Sequence, residues 1–522
     1  MTAQLSTRFS AQEWAGRQPA YASGGPISIP ADAPATFTEA LLQRANQTDR
    51  GVIYVQKEGQ EDFQSYAELL LEARQILAGL RKHGLKPRDR VILQIESLRN
   101  HFTTFWACVL GGFTPVTVAV AASYQEKNGV VAKLWNTWKL LKGPLIITSA
   151  RLEPAIQGLD KLLEMPGLRT TSVEPLKENI PAAEIFESRP EDLVFFQLTS
   201  GSTGVPKCIQ ETHRGIIHHI HGSQQFNGYK ASNVSLNWLP VDHVVPILTS
   251  HLKDVYLGIQ QVHVKSDIIL SDPLRWLDLI EKHRVTHTWC PNFGFKLVSD
   301  RLAQTPGRHW DLACIEFMMN AGEQVTLPVV ADFLTRTAAF GIRPNAMQPS
   351  FGMAEVCTCM TYQNHFDVES GVHRFKKSSL GGILEPAGTN DPAAVTFVDL
   401  GPVMPGVEIR ITDNENKVVP EGVVGRFQIR GAVVTPGYLY NDAANADAFV
   451  GEGWFNSGDL GFIHEGRLTL TGREKEMIIV RGANFYCYEI EDVVNSVPGV
   501  IPTFTGTCSV ADPKTGSESL AI

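Results

Sequence analysis

The chain has no run of about 18 apolar residues among its 522, so by length alone it offers no helix that would span a membrane. Positive charge is also scarce. With 46 Lys and Arg against 55 Asp and Glu, the net charge is -9, which argues against a nucleic-acid backbone as partner yet allows a local basic funnel for a phosphate ligand. The eight cysteines (108, 208, 290, 314, 357, 359, 487, 508) show neither a disulfide framework nor paired Cys-x-x-Cys spacing, as expected in a reducing cytoplasm. Cys357-Thr-Cys359 reads as core. Residues 1–30 are polar and rich in Ala, Ser, Gly and Pro, without the basic start and apolar block of a secretory leader. No repeat of fixed period occurs, which sets solenoids aside. What remains, 43% hydrophobic and 19% charged residues, is ample for one large or several ordinary cores.

Helical periodicity and short β-branched runs alternate. Tyr66 to His83 is an amphipathic helix candidate, Arg90 to Gln94 a strand and His101 to Gly111 a second helix, an α/β pattern. Gly84-Leu-Lys-Pro87 supplies the stop after the first helix. From about residue 392 short strands separated by turns take over, as in Val407 to Ile411, Asp413 to Asn416 and Gly425 to Ile429.

The most informative stretch is Thr199-Ser200-Gly201-Ser202-Thr203-Gly204-Val205-Pro206-Lys207. Its glycines let backbone approach an anion, its hydroxyls can donate to phosphate oxygens, and Lys207 adds a cation. The apolar run Leu193 to Leu198 before it reads as a buried strand, and open α/β sheets bind ligands at strand ends. It is not a Walker A loop, since Lys207 follows Pro206 and precedes Cys208. On composition alone it is equally a Ser/Thr/Gly surface loop.

The stretch resembles the phosphate-binding signature of the adenylate-forming (ANL) superfamily, which includes acyl-CoA synthetases, luciferases, fatty-acyl-AMP ligases and nonribosomal peptide synthetase adenylation domains. Further motifs follow in that family's order, over nearly the whole chain from about residue 36. The resemblance implies an α/β adenylate-forming fold, with a large layered N-terminal domain plus a small α+β C-terminal lid that is truncated here. It gives Thr199, Ser200, Gly201, Ser202, Thr203, Gly204 and Lys207 to the phosphates of ATP. A carboxylate attacking the α-phosphate meets repulsion of roughly 4 kcal/mol per unit charge pair at 4 Å and an effective dielectric near 20, which Lys207 would offset.

Phe351-Gly352-Met353-Ala354-Glu355 is similar to the family's aromatic-Gly-x-x-Glu motif, in which the ring stacks on adenine and the Glu binds Mg2+. Alone, a Phe beside a Glu is far more often a packed ring and a solvated charge. Many members carry Thr in place of Ala354 and use its hydroxyl on the nucleotide phosphate; the Gly-Met-Ala-Glu version is similar to fatty-acyl-AMP ligases. Asn320-Ala321-Gly322-Glu323 resembles the segment whose backbone borders adenine, with an ordinary turn as the plain alternative. Gly458-Asp459-Leu460 matches the motif whose Asp holds the ribose hydroxyls, and Arg473 is the second ribose partner on the same resemblance.

Lys475, in Gly472-Arg473-Glu474-Lys475, falls at the family's hinge. The implied division is an N-terminal extension (1–35), an adenylation domain (36–474, β-rich over about 392–470) and the start of the lid (475–522). Arg481-Gly482-Ala483-Asn484 through Glu491 completes the lid-opening pattern. The family's second lysine lies far beyond that pattern, and Lys514 does not match its surroundings. The lid is therefore expected to be incomplete.

Asn237 to Pro246 resembles the Trp-Leu-Pro-x-x-His motif of fatty-acyl-AMP ligases. With His243 as the gate beside the reacting carboxylate, the position that carries an ammonium-binding Asp in amino-acid-activating relatives falls on Val244. A shift of one residue would place Asp242 there, so an amino acid stays open. His243, Val244, Gly322 and Met353 are the expected acid contacts. His218, His219 and His221 read as helix surface and packing residues, because zinc partners at ligand spacing are missing. A polar stretch between Tyr362 and Leu400 looks like the insertion that hinders CoA use in fatty-acyl-AMP ligases, and is equally a surface loop.

The implied activity is acyl-AMP formation from ATP, with Mg2+, and an acid lacking an amino group (fatty, aryl or phenylpropanoid), followed by transfer to the phosphopantetheine of a carrier protein downstream in the same polypeptide. An acyl-CoA synthetase, an amino-acid adenylation domain and a non-catalytic nucleotide-binding scaffold are the rivals. Neither nucleic acid nor membrane is expected as a partner.

Overall fold

In the computed structural model the first of the helices read from the sequence runs Tyr66–Lys82, after a shorter helix Phe37–Arg44, and its start has a local cause. Ser65 accepts from the Glu68 amide while the Glu68 carboxylate accepts from the Ser65 amide, a capping box. Tyr66, Leu69, Ala73, Ile76, Leu77 and Leu80 line its buried face, and Gly84 at φ +86° turns the chain away. The second helix begins earlier than its apolar pattern suggests, at Leu98, because Ser97 caps it by accepting from the Asn100 amide. The structure describes residues 16–199, 206–380, 382–389, 391–392 and 394–473, and beyond them 477–480, 483–486, 490–491, 494, 497, 499–500, 505–512 and 517–522.

Three sheets carry the fold. A six-stranded sheet has the order Thr170–Ser172, Leu145–Thr148, Arg90–Gln94, Thr114–Thr117, Leu193–Leu198, Cys208–Thr212, parallel except for the last strand. An eight-stranded sheet runs Cys359–Tyr362, Met347–Gly352, Phe317–Asn320, His287–Cys290, Val234–Asn237, Gln260–Val264, Gly51–Val55, Glu61–Ser65, with antiparallel strands only at its two ends. The third sheet is antiparallel: Tyr21–Ser23, Val407–Thr412, Gly425–Gly431, Phe455–His464, Arg467–Arg473. Its first strand comes from the stretch expected as an N-terminal extension.

Helix Leu98–Gly111 is buried all round from His101 to Gly111, as a helix between two sheets must be. Phe105 meets Phe195 of the six-stranded sheet at 5.7 Å, and Phe102 meets His263 of the eight-stranded sheet at 4.8 Å. Each such buried ring contributes on the order of 2 kcal/mol. Helix Gly129–Leu140 covers the outer face of the six-stranded sheet through Val131, Leu134 and Trp138. Trp276, Phe295 and Phe333 form a cluster of tilted and edge-to-face rings on helices Arg275–His283, Asn292–Gln304 and Leu327–Thr337.

Helix His213–Asn227 leaves His218 half-buried and turns His219 and His221 inward, in line with the reading of these histidines as surface and packing residues. His219 Nε2 lies 2.8 Å from the Cys359 carbonyl and 3.0 Å from Thr358 Oγ1, and His221 Nε2 lies 2.9 Å from the Tyr256 hydroxyl; both rings are buried. Burial lowers the His219 pKa to about 4. The polar stretch after Tyr362 forms a hairpin, Val372–Lys376 with Ala394–Val398, rather than a bare loop. Its Phe375 and Phe397 share a small core with Leu380, Leu384, Val424 and Phe462. Cys357 and Cys359 are buried, as the sequence suggests.

Candidate active site

The candidate residues gather because the parallel strands all point their carboxyl ends one way. Thr199 follows the strand Leu193–Leu198, His243 and Val244 follow Val234–Asn237, Ala321 follows Phe317–Asn320, and Glu355 follows Met347–Gly352. Carboxyl edges of parallel sheets are where such folds bind ligands. Asp459 and Arg473 come from the antiparallel sheet. A cavity of about 260 Å³ lined by Arg88, Arg90, Thr114, Leu193 and Phe196 opens at the amino ends of these strands, away from this cluster.

On the phosphate side, the Thr199 amide donates to the Lys207 carbonyl at 3.0 Å, closing the base of the loop. The Lys207 ammonium sits 4.5 Å from the centre of the Tyr438 ring, whose hydroxyl donates to Glu355 Oε1 at 2.9 Å. The Glu355 carbonyl accepts from the Thr435 amide at 2.8 Å. With 7% exposure, Glu355 is a buried carboxylate; burial pushes its pKa up, against the Tyr438 hydrogen bond and the charges of Lys207 and Arg473. A hard divalent cation fits such an oxygen donor, since its charge would favour the ionised form. Tyr438 and Thr435 were missed in the sequence; their turn, Thr435-Pro436-Gly437-Tyr438, was the available signal.

On the nucleoside side, Phe351 is half-buried and packs edge-on against Phe427 at 5.4 Å. Gly352 is obligatory: a Cβ there would lie 2.2 Å from the Thr358 carbonyl oxygen. Ala321 is buried, while Gly322 is exposed at φ +92°. The Glu323 carboxylate accepts from the Phe293 amide at 2.6 Å and so ties this turn to helix Asn292–Gln304. Asp459 and Arg473 are cross-strand partners, with Nε to Oδ1 at 3.2 Å. Asp459 is 6% exposed, and burial raises its pKa to about 6 despite Arg473.

The acid side differs. His243 caps helix Val244–Ile247, with Nδ1 accepting from the Val245 amide at 3.4 Å, and its ring stacks on Trp289 at 6.1 Å. The ring is exposed to solvent, yet the protein around it lowers its pKa by desolvation, only partly opposed by Asp242. Val244 is buried at 5% exposure, and Val245, Pro246, Ile247 and Leu248 are buried after it. The Asp242 carbonyl accepts from Gln197 Nε2 at 2.9 Å, linking this turn to the strand before the phosphate loop. Met353 is half-buried beside the Glu355 turn. Ser200, Gly201, Ser202, Thr203, Gly204, Lys475, Arg481, Gly482 and Lys514 lie outside the described residues.

Two layered sheets, a third antiparallel sheet and a buried carboxylate at the carboxyl edge agree with what the family match and the similar solved structures show, an adenylate-forming enzyme of the ANL fold, an acyl-AMP-forming ligase. The chain belongs to the AMP-binding enzyme family, whose model matches residues 41–439. It is 31% identical over 506 residues to the nonribosomal peptide synthetase apvA of Aspergillus terreus (strain NIH 2624 / FGSC A1156), covering 93% of this chain and 51% of that protein. The chain thus spans about half the length of the curated relatives it matches. Among solved structures it is similar to the adenylation domain of a keto acid-selecting nonribosomal peptide synthetase module bound to keto acyl adenylate, with 39% identity, a TM-score of 0.86 and coverage of 95% of this chain and 89% of that one. It is also similar to McyG A-PCP complexed with phenylalanyl-adenylate, with 34% identity, a TM-score of 0.87 and coverage of 95% and 86%. Among the described residues no helix is long and apolar enough to cross a membrane.

Proposed function

We propose that this chain activates a 2-oxo carboxylic acid with ATP and passes the acyl group to the phosphopantetheine thiol of a carrier protein. The observation that carries the substrate class is Val244, a buried apolar residue at the place where amino-acid-activating relatives present a carboxylate. An ammonium left there without a partner would cost several kcal/mol, whereas a neutral 2-oxo group brings no charge that must be paired. The 39% identity to a keto acid-selecting domain supports the same class.

In the first step an oxygen of the acid attacks the α-phosphorus, a P–O bond forms, and the bond to the bridging oxygen breaks as pyrophosphate leaves. Lys207 and the loop from Thr199 to Gly204 offset the charge on the phosphates. Phe351 and the turn Ala321-Gly322-Glu323 border the adenine, and Asp459 with Arg473 holds the ribose. Mg2+ bound at Glu355 would supply further charge neutralisation. His243, neutral at physiological pH, lies beside the reacting carboxylate, with Met353 and Gly322 as further contacts. Lys475 is the pivot between residues 36–474 and the lid, and turning about it opens the way for the thiol.

A second reading, an amino acid as substrate, is favoured by the likeness to a domain holding phenylalanyl-adenylate and by Asp242 beside His243. The deciding experiment is acid-dependent ATP–pyrophosphate exchange with matched 2-oxo, 2-hydroxy and 2-amino acids, fatty acids and aryl acids. The 2-oxo acids should exceed their 2-amino counterparts by about 100-fold or more. Exchange with amino acids alone overturns the proposal. Fatty or aryl acids as the best substrates would move the class without moving the chemistry.

A further inference from the structure

The turn that carries Glu355 is strained, and a buried pair outside the site meets it. After the 3-10 turn Ala354–Val356, Cys357 adopts φ +68° and ψ -73°, and the Thr358 amide donates back to the Val356 carbonyl at 3.0 Å across it. This is a γ-turn of the costly, positive-φ kind, whose strain its surroundings must offset. Its side chain points inward: the thiol lies 3.6 Å from Glu211 Oε2 and 3.5 Å from the Val433 carbonyl oxygen.

Glu211 stands on the strand that follows the phosphate loop, four positions after Lys207, and is 2% exposed. Its other oxygen, Oε1, is buried with no hydrogen-bond partner among the described residues. Burying a carboxyl in this way is expensive. Burial pushes Glu211 well above the carboxylate range, and the charge of Glu355 adds to the shift. The Cys357 thiol donates to its Oε2, so the carboxyl is tied to the strained turn by that hydrogen bond. The neighbouring residue continues the same scaffold, since the Gln210 carbonyl accepts from Thr435 Oγ1 at 2.8 Å and the Thr435 amide holds the Glu355 carbonyl at 2.8 Å.

We propose that Glu211 and Cys357 are positioning residues for Glu355: the carboxyl on the strand after the phosphate loop and the thiol of the strained turn pin that turn, so that the Glu355 carboxylate faces the phosphates in register with Lys207. Neither touches substrate or metal. The inference rests on Glu355 being the metal-binding carboxylate, and the test separates the two claims.

The measurement is Mn2+ affinity in the presence of an ATP analogue that cannot be cleaved between its α and β phosphates, read by electron paramagnetic resonance on the whole chain. Melting temperature is recorded for each variant. Glu355→Gln should abolish most Mn2+ binding. Glu211→Leu and Cys357→Ala should each weaken it about 10-fold, the usual loss when a group that orients a ligand is removed. Glu211→Gln keeps the volume and a hydrogen bond to the thiol, so it should stay within about twofold of the parent chain. Mn2+ affinity unchanged in both Glu211→Leu and Cys357→Ala, with Glu355→Gln impaired, refutes the positioning pair and leaves Glu355 as ligand. Unchanged affinity in Glu355→Gln itself removes the metal assignment, and the pair's role with it. A fall in Glu211→Gln as deep as in Glu211→Leu also refutes the proposal, because a charge rather than a contact would then matter. If Glu211→Leu fails to fold, Cys357→Ala decides, since Ala accepts the same backbone no worse than Cys.

Discussion

The two sides of the cleft are made of opposite materials. On the side proposed for the nucleotide, Glu355 and Asp459 are carboxylates at 7% and 6% exposure, with Tyr438, Lys207 and Arg473 around them. On the side proposed for the acid, the helix that starts at Val244 offers only buried apolar side chains over its first turn, capped by a histidine whose pKa is lowered. Buried charge is expensive and is kept where its chemistry is needed; an apolar wall costs nothing and selects by what it refuses to pair. On the function proposed above, the charged side serves the step with ATP that the family shares, and the apolar side carries the choice of acid.

Changing a charge on the nucleotide side should therefore have the largest effect and leave the choice of acid untouched. Lys207→Ala is expected to slow acid-dependent pyrophosphate exchange about 10²- to 10³-fold, the loss typical of one preorganised group that meets developing charge. The acid concentration at half-saturation should barely move. A variant that loses acid affinity but not rate would contradict the assignment. The next largest effect comes from carrying charge across to the apolar side. Val244→Asp should cost about 2–4 kcal/mol in activation of a 2-oxo acid, because a carboxylate is buried without a partner, and should raise exchange with the matching 2-amino acid. A profile across acids identical to that of the parent chain would show that Val244 does not face the substrate.

The charged side was also the legible one. Glu355, Asp459 and Lys207 stand in short motifs whose residue types suit phosphate and ribose chemistry; Lys207 lies just before strand Cys208–Thr212 and Glu355 in the turn after Met347–Gly352, whereas Asp459 sits inside strand Phe455–His464. Helix Tyr66–Lys82 and strand Arg90–Gln94 were readable because period and caps are local. What escaped is set by distance in the chain. Tyr438 reaches Glu355 across 83 residues, Gln197 reaches Asp242 across 45, and Glu211 meets Cys357 across 146; none of these pairs leaves a periodic trace. The partners of His219 and His221 were likewise not readable, because the polar residues on the buried face of a helix pair with groups remote in the chain that sequence spacing does not show.

Asp459 gives the next step down in size. Asp459→Ala should weaken ATP binding by about 1–3 kcal/mol, the value of a strong polar contact, and unchanged nucleotide affinity would argue against its ribose role. The smallest effect is one of pH, and its sign follows from the raised pKa of about 6 against an ordinary 3.8. The folded protein holds this proton more tightly than the unfolded chain. Its contribution to stability is present below pH 3.8 and lost as the pH rises through about 6. Nucleotide binding runs the other way, because only the ionised carboxylate accepts from both ribose hydroxyls. ATP affinity measured by equilibrium titration should fall as the pH drops below about 6, by at most about tenfold per unit. Asp459→Asn, which cannot ionise, should bind more weakly at pH 7.5 and lose that acid limb. If the limb persists in Asp459→Asn, another group sets it, and Glu355, whose pKa is also raised, becomes the carboxylate to change next.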